Sequence, residues 1–224
     1  MTEVTETTDK KNILIITGGN VDRDFAALWV KKHKFDLCIA ADSGAKASLE
    51  IGLQPDMVIG DFDSLDANSL EYLKNIPARI KRFDPEKDVT DTELALEEAV
   101  MLGAETVYML GATGERADHT FTTLMGLVRA KEKGITVYAV DKNNKIYVVD
   151  GDIYIRKSEQ HGDFVSLAVI SDSAKITMEG MKYNLKRQSV CRGDSLCQSN
   201  EIVGEVGHIR VHSGIVMVFE SRDI

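Results

Sequence analysis

The chain has 224 residues, 43% hydrophobic and 28% charged, the make-up of a water-soluble globular protein of one large or two modest domains. Its formal charge of −9 excludes a general nucleic-acid binder, which needs a basic face. It leaves room for a nucleotide carried by a metal ion, or for a cationic small substrate. Three cysteines (Cys38, Cys191, Cys197) cannot all pair and suit a reducing cytoplasm, and no apolar run approaches the roughly 20 residues of a membrane span.

Residues 1–11 are rich in Thr, Glu and Lys, lack an apolar targeting core, and read as a frayed tail. From Asn12 to about Val140, short apolar runs alternate with helical stretches. Strands are predicted at Ile13–Thr17, Asp36–Ala41, Met57–Gly60, Arg79–Phe83, Glu105–Leu110 and Ile135–Val140. Helices are predicted near Arg23–His33, Ala45–Ile51, Leu65–Asn75, Asp91–Leu102 and Ala117–Lys133. In the last of these, Phe121, Leu124, Met125 and Val128 follow i, i+3, i+4, i+7 spacing and predict one apolar face toward a sheet. Such alternation implies an α/β domain over 12–140, a Rossmann-like parallel sheet with helices on its faces. The polar run Asp141–Lys145 reads as a linker or domain edge. Beyond it, β-like segments at Ile146–Val149, Ile153–Arg156, Phe164–Ile170, Ala174–Met178 and Ile215–Glu220, split by Gly, Asp, Ser and Asn, predict a smaller all-β sandwich or barrel over 145–224.

Aspartates fall where successive predicted strands end: Asp42, then Asp61 and Asp63, then Asp84, Asp88 and Asp91. In open parallel sheets ligands bind beyond the carboxyl ends of the strands. Acids gathered there repel one another unless a cation sits among them, and Mg²⁺ takes one or two carboxylates plus substrate phosphates and water. A metal–nucleotide site is therefore the leading reading. Its competitor is helix capping: Asp63 or Ser64 ahead of Leu65, and Thr90-Asp91-Thr92-Glu93 as a capping box that also places Asp91 at the mouth of the sheet. Lys87 reads either as a solvated loop charge or as a phosphate partner.

Gly18-Gly19 and Gly111–His119 follow the first and fifth strands and let backbone N–H groups approach an anion, with Arg116 as a forked donor. Neither loop is a Walker sequence or a Gly-x-Gly-x-x-Gly fingerprint, which argues against a P-loop kinase or an NAD enzyme. His119 alone reads as a structural hydrogen-bonder. The Cys191–Cys197 spacing exceeds that of structural zinc sites, so Cys191, Cys197, His208 and His212 are read as β-domain residues. No Gly-x-Ser-x-Gly elbow occurs.

The ordered set Ala41–Ala45, Gly60–Ser64, Lys87–Asp91, Gly114–His119, Gly180–Leu185 and Ser199–Glu201 resembles the thiamine pyrophosphokinase family. The resemblance implies an α/β catalytic domain, a C-terminal β-sandwich that binds thiamine, and a homodimer with active sites at the subunit interface. The implied reaction moves a pyrophosphoryl group from ATP to the thiamine hydroxyl, Mg²⁺-dependent, giving thiamine diphosphate and AMP. Carried onto these residues, Asp42, Asp61, Asp63 and Asp91 form the catalytic cluster, with Asp61, Asp63 and Asp91 on the metal. Lys87, Asp88 and Thr90 line the polyphosphate or the attacking hydroxyl; Arg116, Asp118 and His119 lie on the nucleotide side; Ser199 and Asn200 meet thiamine. The C-terminal tryptophan of some members is missing from Gly214–Phe219, and the only Trp is Trp29, so Tyr183 or Phe219 is the expected stacking partner. Two rival readings are a metal-dependent nucleotide-sugar transferase, since Asp61-Phe62-Asp63 is an Asp-x-Asp pair, and a non-catalytic nucleotide sensor whose acids are helix caps.

Overall fold

A computed structural model describes residues 10–62, 71, 75–84 and 88–223. The chain divides into two compact units, one ending at Val137 and the other running from Tyr138.

In the first unit, strands β1 (Lys11–Ile16), β2 (Leu37–Ala41), β3 (Met57–Gly60), β4 (Arg79–Arg82) and β5 (Ala104–Leu110) lie in the order β4-β3-β2-β1-β5. The β1–β2, β1–β5, β2–β3 and β3–β4 ladders are all parallel. Ile13, Leu14, Ile15 and Ile16 of β1 are completely buried, as a central strand covered on both faces requires. Helices α1 (Arg23–Lys32), α2 (Gly44–Glu50), α3 (Asp91–Met101) and α4 (Ala117–Glu132) punctuate the strands. Helix α3 packs across β1, β2, β3 and β5, burying Ala95, Leu96 and Ala99. It also buries Glu98, whose carboxylate is matched by Lys81 on the edge strand β4. The helix expected over Leu65–Asn75 falls mainly outside the described residues.

The stripe expected on α4 needs correction. Phe121 is 67% exposed, Leu124 and Met125 are half-buried, and the buried residues are Leu127, Val128 and Ala130. Spacing finds the stripe but not the stretch of it that neighbouring elements cover, and burial deepens only toward the C-terminal half of the helix. Trp29 of α1 packs in an aromatic cluster with His33, Phe35 and Tyr108.

The second unit is a β-sandwich. One sheet has the order β6-β7-β13-β9, from β6 (Thr136–Val140), β7 (Asn144–Val149), β9 (Phe164–Val169) and β13 (Val216–Ser221), with antiparallel ladders. The other has the order β11-β10-β12-β8, from β8 (Asp152–Arg156), β10 (Ser173–Glu179), β11 (Leu185–Cys191) and β12 (Val206–Ser213), again antiparallel. The core between them is aliphatic, with Val165, Leu167, Ile176, Met178, Ile209, Val216 and Val218 at 0–1% exposure. The polar run at Asp141 is a hairpin turn rather than a linker. The Asp141 carboxylate accepts the Asn143 and Asn144 N–H groups at 2.8 Å each, closing β6 onto β7.

Two strands escape the sequence reading. β11 is polar, exposed over most of its length, and bent at Arg187, which sits at φ 47°. β12 does alternate, but its first inward position is Gly207. A Cβ there would stand 2.8 Å from Met181 Cε and 3.0 Å from Ile202 Cγ1, so neighbours fill the place of the missing side chain.

Candidate functional site

The loops that leave the carboxyl ends of the parallel strands interlock because glycines let backbones touch. Gly19 lies so close to the loop after β5 that a Cβ would fall 2.0 Å from the Gly111 carbonyl oxygen and 2.4 Å from that of Thr113. The Asn20 N–H donates to the Thr113 carbonyl at 2.7 Å, and the buried Thr17 hydroxyl donates to the Gly111 carbonyl at 2.6 Å. Gly18 leaves space for Ser43 Oγ, and Gly44 for the Ile16 carbonyl. The connections after β1, β2 and β5 thus form one lip. Gly18-Gly19 signals it in the sequence, as does the Ala41–Ala45 motif that holds Ser43; the partners Thr17 and Asn20 carry no signal of their own.

Asp42 and Asp61 stand at the next two strand ends. Asp42 lies just past β2 at φ 47°, a left-handed conformation that Asp tolerates better than most residues. Its N–H donates to the Ile59 carbonyl at 2.8 Å, extending the β2–β3 ladder by one residue. A Cβ on Gly60 would come within 3.2 Å of Asp42 Cα, so Gly60 sets how closely Asp42 approaches the end of β3. Phe62 is also left-handed, at φ 66°, and its buried ring sits with Ala40, Ala45 and Val58. This turn, anchored by an apolar side chain, holds half-buried Asp61 at the edge of the sheet. Backbone strain of this kind costs roughly 1–3 kcal/mol per residue and clusters at ligand sites. Asp63 and Lys87 lie outside the described residues.

The remaining acids belong to the start of α3. Thr90 is the N-cap, its hydroxyl accepting the Glu93 N–H at 3.2 Å, which is half of the expected capping box. The Glu93 carboxylate pairs with Arg129 of α4. Asp91 occupies the first turn, half-buried, and Asp88 is exposed just before it. At the N-terminus of α4, Arg116 grips Asp118 through two hydrogen bonds, at 2.7 and 3.3 Å, and His119 stands 4.0 Å from the same carboxylate. All three are exposed. The pairing raises the Arg116 pKa and lowers that of Asp118. Here Arg116 is held against the helix, so a nucleotide phosphate would have to compete with Asp118 for it. The 320 Å³ groove between α3 and α4, lined by Leu96, Val100, Met125 and Val128 with Thr90 at one end, runs along the helices rather than over the strand ends.

No group of three or more Asp, Glu, His or Cys gathers closely enough among the described residues to hold a metal ion alone. The donor chemistry still fits Mg²⁺, which needs only one or two carboxylates when phosphate and water complete its shell. Asp42 and Asp61, on adjacent strand ends, are carboxylates of the oxygen-donor type that such a shell uses.

In the second unit, Ser199 is left-handed at φ 50° and exposed, with its N–H donating to Ser166 Oγ at 2.9 Å. Asn200 is buried, and its backbone forms a two-way bridge with Val165. Its side-chain oxygen accepts the N–H groups of Tyr183 and Glu201, and its amide nitrogen donates to the Tyr183 carbonyl at 2.8 Å. The oxygen is then saturated and one N–H remains, so Asn200 chiefly positions Tyr183. The Tyr183 ring is 61% exposed, with Lys182 Nζ 5.9 Å from its centroid. Phe219 is half-buried within the ladders to Ile146 and Ser166. Of the two candidate stacking partners, Tyr183 is the one that presents a face.

The family description "Thiamin pyrophosphokinase, catalytic domain" matches residues 25–139, and "Thiamin pyrophosphokinase, vitamin B1 binding domain" matches residues 152–216. The thiamine pyrophosphokinase of Bacillus subtilis (strain 168) is 29% identical over 216 residues, covering 95% of this chain and 100% of that protein. The crystal structure of a Bacillus subtilis thiamine pyrophosphokinase superposes with a TM-score of 0.86 at 27% identity, covering 96% of this chain and 100% of the other. That of the thiamin pyrophosphokinase from Geobacillus thermodenitrificans gives 0.82 at 30% identity, with 95% and 98% covered. The Candida albicans enzyme, at 21% identity and a TM-score of 0.79, shares the fold.

Proposed function

The chain belongs to the thiamine pyrophosphokinase family, and from that premise we propose that it moves a pyrophosphoryl group from ATP to the hydroxyl of thiamine, giving thiamine diphosphate and AMP. The observation that carries this reading is the interlocked lip at the carboxyl ends of β1, β2 and β5, with Asp42 on it and Asp61 at the neighbouring end of β3, in a chain whose residues 152–216 match a vitamin B1 binding domain.

The thiamine hydroxyl oxygen forms a bond to the β-phosphorus of ATP, the bond from that phosphorus to the bridging oxygen breaks, and AMP leaves with that oxygen. Transfer of this type is driven by positioning and charge neutralisation rather than by covalent protein chemistry. Asp61, Asp63 and Asp91 would hold Mg²⁺, which would supply neutralisation of the polyphosphate charge. Asp91 or Asp88 takes the hydroxyl proton, and Lys87 and Thr90 line the transferred group. Arg116, Asp118 and His119 orient the nucleotide. Ser199 and the Tyr183 ring, held by Asn200, meet thiamine. The acids complement the thiazolium charge. A homodimer with its sites at the subunit interface and a cytoplasmic location complete the proposal; among the described residues no helix is long and apolar enough to cross a membrane.

The direct experiment is incubation with Mg-ATP and thiamine, followed by mass detection of products. AMP and thiamine diphosphate in equal amounts are expected. Release of a nucleoside diphosphate, or ATP binding without consumption, would replace this reading with a transferase or a sensor. Light scattering is expected to give twice the chain mass.

Helix capping and chemistry separate at α3. Thr90→Ala is expected to lower stability by about 1 kcal/mol, the usual worth of an N-cap. Asp91→Asn is expected to leave the urea midpoint nearly unchanged and to lower kcat. Unfolding by Asp91→Asn with kcat per folded molecule intact would make Asp91 a helix residue only.

A further inference from the structure

Helix α3 buries a charge that its packing does not call for. Ala95 and Ala99 are completely covered and Leu96 is 7% exposed, so the buried face of the helix is made largely of small side chains. Glu98 lies among them at 4% exposure, its carboxylate held by Lys81 Nζ of β4. Taking an ion pair out of water costs about as much as its attraction returns, and apolar side chains of similar volume are often as stable in its place. What an apolar pair lacks is direction. Two alanines raise no ridge for a neighbour to lock against, whereas a charge-assisted hydrogen bond fixes the helix at one point along its axis.

The two ends of this pair lead to two acids of the strand-end site. Asp91 and Glu98 stand seven positions apart on α3, which places them within about 20° of one helix face and about 10 Å apart along the axis. Lys81 is the ladder partner of Ile59, two residues before Asp61, and just beyond it the Phe83 N–H donates to the Gly60 carbonyl at 3.2 Å. A continuous set of contacts therefore runs from Asp91 down α3 to Glu98, across to Lys81, and back along the β3–β4 ladder to Asp61. We propose that, with Asp61 and Asp91 taken as metal ligands, Lys81 and Glu98 are positioning residues that set where Asp91 stands relative to Asp61. Neither touches substrate or metal; each acts through the element it anchors.

The double variant Lys81→Met, Glu98→Leu removes both charges and keeps the volume, so its melting temperature is expected to stay close to the parent's. Mg²⁺ titrated calorimetrically into the full-length protein with an excess of a non-hydrolysable ATP analogue is expected to bind it about tenfold more weakly. Turnover of ATP and thiamine should fall by a similar factor, since misplacing a group by about 1 Å can cost about 100-fold. Lys81→Arg keeps the pair but alters its reach; it should melt like the parent and weaken Mg²⁺ by about twofold or more. It decides the question if the apolar variant fails to fold. Asp91→Asn is the control, expected to weaken Mg²⁺ as well. Parental Mg²⁺ affinity in the folded apolar variant, or in Lys81→Arg where that variant does not fold, would overturn the positioning role and leave the Asp91 assignment standing. Parental affinity in Asp91→Asn would remove the assignment and the positioning role with it.

Discussion

Asp61→Asn is expected to lower turnover of ATP and thiamine by roughly 10²–10³-fold, the scale on which one preorganised stabiliser of transition-state charge is felt, with the urea midpoint unchanged. Asn keeps the size of the side chain and one acceptor oxygen but removes the negative charge that a divalent ion requires. Asp61 sits at a strand end whose geometry comes from Gly60 packed on Asp42 and from the buried Phe62 ring, and none of these changes with the substitution. The activity that remains should need more Mg²⁺ for half-saturation. The same is expected of Asp63→Asn. Near-parental kcat at ordinary Mg²⁺ in either variant would take that residue out of the metal assignment.

Glu220→Ala is expected to be the costliest single change to the second unit, at about 3–5 kcal/mol in urea unfolding, the usual loss when one partner of a buried pair is removed. Glu220 is 1% exposed and gathers the Tyr147 hydroxyl at 3.0 Å, Lys145 Nζ at 3.1 Å and the His161 N–H at 2.8 Å. It ties β7, β13 and the 157–163 loop together, and truncation leaves three donors unpaired. Glu220→Gln keeps an acceptor and should lose distinctly less. A loss under about 1 kcal/mol in Glu220→Ala would mean that water replaces the carboxylate at little cost.

The same cluster shapes the pH dependence. Burial, chiefly, holds the His161 pKa below its ordinary value of 6.5. The unfolded chain then takes up that proton first, so the contribution is complete above about pH 6.5 and is lost as pH falls through the depressed folded value. Burial first, then the Glu220 charge, pushes the Tyr147 hydroxyl well above 10.0. Its contribution is complete below about pH 10 and declines as pH rises beyond that. Urea midpoints across the pH range should show both shoulders, and Glu220→Gln should reduce the alkaline one.

The parallel unit was legible because its strands are continuous apolar runs closed by Gly, Asp or Pro, and β1 to β5 lie within one or two residues of their expected bounds. The sandwich was half legible. β11 is polar and bent at its edge, and β12 has a glycine where its alternation needs an apolar side chain, so neither carried a full period. The Asp141 run shows the same limit, because a polar stretch looks alike whether it links domains or turns a hairpin.

For the site, the amino-acid order alone determined that acids and glycines follow the strands, which is enough to place the chemistry at one end of a sheet. It also determined the cap at Thr90, because capping is a contact between residues three apart. Tertiary structure alone decided which glycines matter and to whom. Gly60 belongs to Asp42, Gly19 to Gly111 and Thr113, and Gly18 to Ser43, contacts between segments 18–94 residues apart. It likewise decided that the Asn200 side chain holds the backbone of Tyr183 through both its N–H and its carbonyl. The physical reason is range. Periodicity and capping act within a few residues, whereas close backbone approach and the pairing of buried polar groups depend on which distant segments the fold brings together.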